Sequence, residues 1–219
     1  MKVLVVDIGG SNVKLLATGR RKRIKIPSGP ELTPQDMVTA VLEQTQAAGW
    51  VFDVISIGYP GPVVDGKPLI EPKNLGDGWV DFDFEGAFGK PVKMINDAAM
   101  QALGSYNGGR MLFLGLGTGL GAALVINKTV QPLELAHLPF KKGKTFEEWL
   151  GVRSLEKLGK KKWRKLVAEA VPMLKMAMQA EYIVLGGGNA KELKELPEDC
   201  ILGTNANAFK GGYRLWGKR

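Results

Sequence analysis

Residues 94 to 100 read Met-Ile-Asn-Asp-Ala-Ala-Met, an apolar run that ends in an Asn-Asp pair and then opens an alanine-rich stretch. Two polar side chains, Asn96 and Asp97, stand where a strand gives way to a helix. A carboxylate at the carboxyl end of a strand in an α/β sheet lies in the crevice where such folds bind ligands. Asp97 is then placed to act as a general base, with Asn96 as a hydrogen-bonding orienter. The competing reading is structural, because Asn and Asp are favoured helix N-caps.

Two glycine-rich tips flank this pair in sequence. Asp7-Ile-Gly-Gly-Ser-Asn-Val-Lys14 joins two apolar runs and carries a carboxylate, the glycines Gly9 and Gly10, the hydroxyl of Ser11 and the amine of Lys14. Backbone N–H groups freed by such glycines can cradle phosphate oxygens, and Asp7 can hold Mg²⁺ directly or through water. A plain hairpin turn is the alternative, since short glycine motifs give many false positives. The second tip, Gly117-Thr118-Gly119, lies inside Met111 to Ile126 and repeats the strand, turn, strand plan of residues 3 to 17. That recurrence implies a duplicated domain. Glycines at 115, 117, 119 and 121 resemble a dinucleotide fingerprint, but the next element is a strand and not the helix such a turn requires.

Three further groups are candidates. Asn74 and Trp79 offer an amide and an aromatic face that suit a sugar, or else Trp79 anchors a surface Ω-loop. Glu134 and His137 share one face of a helical turn, and His137 is the only histidine; a lone histidine beside apolar neighbours also serves as a structural group. Gly186-Gly187-Gly188 ends a strand, and a phosphate or nucleotide could rest on the helix expected after it.

These residues need strands and helices to hold them. Apolar runs predict strands at 3–8, 13–17, 54–57, 91–95, 111–126 as a pair, and 182–186; residues 20 to 27 read as a basic edge strand closed by Pro27. Helical spacing marks 35–48, a short helix from 97 to 105, and 145–178 with breaks near Gly159 and Pro172. In that last segment Trp149, Leu150, Leu155, Trp163, Leu166, Val167, Val171, Leu174 and Met178 are core candidates, and Met173, Met176 and Met178 are read as gap-fillers. The tail from Leu202 to Tyr213 is a turn and a small-residue helix suited to close packing.

Composition narrows the class. With 219 residues, 45% hydrophobic and 24% charged, the chain describes a globular protein able to bury a sizeable core. The single Cys200 excludes an internal disulfide framework and a multi-thiolate metal site. The opening lacks the features of a signal peptide and no apolar run reaches bilayer length, so a soluble cytoplasmic protein is expected. The net charge of +8 concentrates at Arg20–Arg23, Lys141–Lys144 and Lys157–Lys165. Such runs are solvated faces or attract polyanions; no nucleic-acid-reading motif accompanies them.

Six segments in order resemble the ROK branch of the sugar kinases, and the subgroup they are most similar to is the polyphosphate glucokinases. These are the two glycine tips, Gly58-Tyr-Pro-Gly61-Pro with Asn74, Ile95-Asn-Asp97, Glu134-Leu-Ala-His137 and Gly186–Gly188. The resemblance implies an α/β, two-domain actin-like ATPase fold with a cleft between duplicated sheet domains: residues 1–108, joined by 205–219, and 109–204. It implies Asp97 as the base and Gly61, Asn74, Asn96 and Glu134 as sugar-binding residues. Gly9, Gly10, Ser11, Lys14, Gly117, Thr118, Gly119, Gly186, Gly187 and Gly188 are then donor-binding residues, and Asp7 holds Mg²⁺. The cysteine-rich zinc segment of most ROK kinases is missing, so no zinc is expected, and His137 becomes either structural or a support behind the residues that touch substrate. Ala136 stands where the family has glycine. Substrates are a hexose and ATP or inorganic polyphosphate, and a homodimer is expected. The alternative is a non-catalytic, kinase-like sugar sensor.

Overall fold

The structure, a computed structural model, describes residues 1–217. The chain divides into two compact units, one of residues 1–100 with 208–217 and the other of residues 101–207.

The first unit opens with β1 (Val3–Ile8), β2 (Asn12–Ala17) and β3 (Ile24–Pro27), then α1 (Pro34–Ala47) and β4 (Val54–Tyr59). A two-strand flap, β5 (Val63–Val64) with β6 (Lys67–Pro68), and the short α2 (Phe84–Phe88) precede β7 (Val92–Asn96), which runs into α3 (Asp97–Ser105). Strand order is β3-β2-β1-β4-β7, with β1, β4 and β7 parallel and β2 and β3 antiparallel. Every residue of β1 and β4 is buried, as expected of central strands covered on both faces. Alternation sorts β1 into two cores: Leu4, Val6 and Ile8 pack with Met37, Val38 and Val41 of α1, while Val3 and Val5 pack with Met100, Ala208 and Phe209. The basic segment begins as a strand only at Ile24, because Arg20 turns back to donate to the Gly49 carbonyl.

The second unit repeats the plan with β8 (Arg110–Leu116), β9 (Leu120–Ile126) and β10 (Thr129–Leu133), then β11 (Pro139–Lys141), β12 (Lys144–Thr145), α4 (Phe146–Leu150), α5 (Val152–Ala177), β13 (Tyr182–Gly186) and β14 (Cys200–Leu202). Its sheet order, β10-β9-β8-β13-β14, again has three parallel strands beside two antiparallel ones. The chain ends with α6 (Asn207–Arg214), which packs on β1 in the first unit's core.

Three expectations need correction. The helical segment breaks at Gly159, which is the one residue of α5 with non-helical angles, and continues through Pro172. Pro172 and Ala168 are both exposed, which puts the carbonyl that the proline leaves without its N–H partner on the solvent side of the helix. Met173 and Met176 are not gap-fillers: they are exposed on the outer side of the stripe formed by Val167, Ala170, Val171 and Leu174, and only Met178 packs on the core. Finally, Gly186–Gly188 is followed by a single 3-10 turn, Ala190–Glu192, and no α-helix, because the crossover must reach β14 within a few residues that include Pro197.

Candidate functional site

In the first unit the carboxyl ends of β1, β4 and β7 lie side by side, with Asp7 opposite Gly58 and Tyr59 opposite Asn96. Asp7 is buried, and Lys14, its register partner on β2, extends Nζ to 3.1 Å from Asp7 Oδ2. The β1–β2 turn is closed by the Gly9 N–H donating to the Asn12 carbonyl, and the Ser28 hydroxyl donates to the Gly9 carbonyl at 2.5 Å. Ser11 and Gly10 are exposed at the tip.

The Asn-Asp pair divides its two candidate roles. Asn96 caps α3, its Oδ1 accepting from the Ala99 N–H at 3.1 Å, while its Nδ2 donates to the Gly61 carbonyl at 3.1 Å. Asn96 therefore pins the Gly58–Pro62 loop to the start of α3. Asp97 is the first residue of the helix, half-buried, with Oδ1 accepting from the Ala98 N–H at 2.7 Å. Burial, and then the nearby Asp7 carboxylate, push its pKa up to about 7; the Ala98 N–H and the Lys14 ammonium pull the other way. A carboxyl poised near neutrality is suited to take a proton. A Cβ at Gly58 would meet the terminal methyl of Met100, which would have to shift, and would stand 3.6 Å from Asp97 Cα.

Asn74 is exposed and backs onto the glycine tip, its Cβ 3.2 Å from where a Gly10 Cβ would stand. Trp79 does not line a pocket. It is fully buried among Tyr59 and Phe84, and Glu71 accepts from the Trp79 and Val80 N–H groups, so this stretch is a loop with a buried tryptophan anchor.

In the second unit Gly117, Thr118 and Gly119 form the β8–β9 turn, with Thr118 exposed. The Gly186–Gly188 turn stands beside it: Asn189 donates from its backbone to the Leu116 carbonyl and from Nδ2 to the Gly117 carbonyl at 2.9 Å. Gly187 has φ +82°, and a Cβ there would run into the Leu116 carbonyl oxygen, so only glycine lets the two turns approach. The start of α5 closes the third side, where the Val152 N–H is shared by the Gly117 and Thr118 carbonyls at 3.1 and 3.2 Å. Sequence reasoning missed Asn189 and Ser28, which hold the two tips; each lies just beyond a motif, and only the spatial pairing reveals it. Glu134 and His137 flank a 3-10 turn with Oε2 3.4 Å from Nδ1, and both side chains are exposed.

Among the described residues no group of three or more His, Cys, Asp or Glu is set to hold a metal, and no helix is long and apolar enough to cross a membrane.

A family model described as the ROK family matches residues 3–132. The polyphosphate glucokinase of Mycobacterium leprae (strain TN) is 27% identical over 208 residues, covering 85% of this chain and 63% of its own length. That of Mycobacterium tuberculosis (strain ATCC 25618 / H37Rv) is 28% identical, and the chain spans 77% of it. Among solved structures, the inorganic polyphosphate/ATP-glucomannokinase from Arthrobacter sp. strain KM superposes with a TM-score of 0.80 at 22% identity, covering 96% of each chain; at that identity the likeness speaks for the fold.

Proposed function

The chain belongs to the ROK family and has its two-domain α/β, actin-like ATPase fold, and from that premise we propose that it is a sugar kinase. In this reading it transfers a terminal phosphoryl group from polyphosphate or ATP to the 6-hydroxyl of glucose or a related hexose. The observation that carries it is Asp97, a carboxyl held near neutrality at the end of β7. Asp97 takes the proton of the primary hydroxyl as that oxygen attacks phosphorus, and the bond to the donor's bridging oxygen breaks. Such transfers rest on positioning and charge stabilisation.

Gly61, Asn74, Asn96 and Glu134 are the sugar-binding residues of this reading. Asn96 keeps a second N–H and a second lone pair beyond its bonds to Gly61 and Ala99. Gly9, Gly10, Ser11 and Lys14 in the first tip, Gly117, Thr118 and Gly119 in the second, and Gly186, Gly187 and Gly188 beside it are the donor-binding residues of this reading; the Gly9 and Gly117 N–H groups close their turns on the Asn12 and Gly119 carbonyls, and the Ser11 hydroxyl, the Lys14 amine and the remaining tip N–H groups meet the phosphates. A buried carboxylate fits Mg²⁺, which protein sites hold through one or two carboxylates together with substrate phosphates. Asp7 would hold it, and the ion when bound neutralises donor charge. The same reading takes the cytoplasm as compartment and a homodimer as assembly. The relatives named polyphosphate glucokinase and polyphosphate/ATP-glucomannokinase support this choice of acceptor and donors.

The test is a coupled assay of glucose phosphorylation with ATP and with polyphosphate. Asp97→Asn is expected to lower turnover by at least about 100-fold, the usual worth of a general base, while glucose still binds. Full residual turnover in that variant would remove Asp97 from the chemistry, and absence of turnover with every donor in the wild type would favour a sugar sensor.

A further inference from the structure

Three basic runs stand out in the sequence, and the structure separates them. Arg20–Arg23 follows β2, whose six residues carry it roughly 20 Å from the Gly9–Gly10 tip at about 3.3 Å per residue. In the second run Lys141 pairs with Glu169 at 2.7 Å and Lys144 lies over the Trp149 ring, which leaves Lys142 as its one exposed cation with neither contact among the described residues. The third run is different. It belongs to α5, and the first N–H of that helix is hydrogen-bonded to the Gly117–Thr118 turn.

The first half of α5 carries seven cations, from Arg153 to Lys165, against one carboxylate, Glu156. Two of the seven are engaged: Lys160 pairs with Glu192 at 2.5 Å, and Arg164 donates to the Glu192 carbonyl. Arg153, Lys157, Lys161, Lys162 and Lys165 are exposed and have no ion pair among the described residues. Arg153 and Lys157 lie four apart on one side before Gly159, and Lys161 and Lys165 lie four apart after it. Gly159 breaks the helix between the two pairs, so these side chains form two successive patches, each roughly 6 Å long at about 1.5 Å per residue, on the stretch of chain that leaves the glycine turn. A nucleoside triphosphate is too short to use both. A linear phosphate polymer with its reacting end at the turn is not.

We infer that the exposed basic face of α5 is an accessory site for the non-reacting part of an inorganic polyphosphate chain, whose terminal phosphate is seated at Gly117–Gly119. This rests on polyphosphate being a donor, as proposed above. Each phosphate bound along the helix releases counterions, so the contribution grows with chain length and shrinks with salt. It also holds the donor near the turn, which raises its effective concentration there.

The test compares the wild type with a Lys157→Gln, Lys161→Gln, Lys162→Gln, Lys165→Gln variant, using glucose as acceptor and long-chain polyphosphate, tripolyphosphate or ATP as donor. The expected result is a KM for long-chain polyphosphate raised roughly tenfold, with a weaker salt dependence, the change that loss of several phosphate contacts produces. KM for tripolyphosphate and ATP, and kcat with every donor, stay as they were. Wild-type turnover of polyphosphate together with an unchanged long-chain KM in the variant overturns the inference alone. No wild-type turnover of polyphosphate, alongside turnover of ATP, overturns the donor reading and the inference with it. An equal rise in KM for all three donors shows a general loss of the loop and also overturns it. So does a variant that loses binding of single-stranded RNA while its polyphosphate kinetics are unchanged, since the face then serves nucleic acid.

Discussion

At the scale of single residues the chemistry turns on how strongly Asp97 can attract a proton. Its carboxyl is raised from 3.8 to about 7 by burial and by Asp7. As a base it must be ionised, and Mg²⁺ on Asp7 would cancel the part of the shift that Asp7 causes, so kcat/KM is expected to rise about tenfold per pH unit on the acid side of a break below pH 7 and to level off above it. A kcat/KM that does not fall on the acid side, followed down to pH 4, would remove Asp97 as the base. The same shift acts on stability. Between pH 4 and 7 the folded protein keeps a proton that the unfolded chain has lost, so the Asp97 contribution to stability is complete below pH 4 and is lost as pH rises to 7. Without Mg²⁺, Asp97→Asn is therefore expected to melt higher than the wild type at pH 8 and alike at pH 4. Asn96→Ala is a different kind of lesion: losing the α3 cap costs about 1 kcal/mol by urea unfolding, and release of the Gly61 carbonyl loosens the loop beside the base. The sequence places both residues at a strand-to-helix junction, and cap and base compete there only because neither is yet assigned to a side chain. Geometry divides them. What could not be read is the Asp7–Lys14 pair, which depends on the β1–β2 register.

Secondary-structure elements are legible where local chemistry decides and illegible where surroundings do. Apolar runs mark β1, β2, β8 and β9, and helical spacing marks α1 from Gln35, one residue after its start at Pro34, where the Thr33 hydroxyl caps the helix by accepting from the Asp36 N–H. Pro172 misleads because its cost depends on whether the orphaned carbonyl can reach water, which is a property of the helix face and not of the proline. Met173 and Met176 mislead because helical spacing alone does not fix where the buried stripe ends. Gly159 is correctly read as a break, and its angles, φ 74° and ψ 161°, lie in a region that essentially only glycine adopts. Nothing stands within 4 Å of a Cβ there, so any penalty is conformational. Gly159→Ala is expected to cost about 2 kcal/mol, seen as a lower urea midpoint with an unchanged m-value. No loss would mean that α5 straightens freely at this point.

For the whole molecule, the repeated sheet plan explains why two glycine tips occupy equivalent β-hairpins, β1–β2 and β8–β9, and why the chain returns at its end to the unit it began with. Unit one is incomplete without residues from 208 onward: Ala208 and Phe209 cover Val3, Val5 and Val54, Ser56 donates to the Gly212 carbonyl at 2.6 Å, and the Trp216 indole donates to Ser56. Gly212 is needed for that approach, since a Cβ would stand 2.5 Å from Val5. Sequence composition hints at close packing in the tail but cannot name the surface it meets, because that contact joins residues at opposite ends of the chain. The cores differ as well: one face of β8 and β13 packs on α5 through Trp163, Val167 and Leu174, a cluster that among the described residues includes none of the tail. Truncating Phe209 to Ala should thus cost about 3 kcal/mol, the usual loss for a buried aromatic. By hydrogen exchange the amides of β1 and β4 are expected to lose protection while those of β8 and β13 keep theirs. Equal loss in both sheets would mean that the tail stabilises the chain as one cooperative block, and the division into two units would then be one of architecture without a matching division of stability.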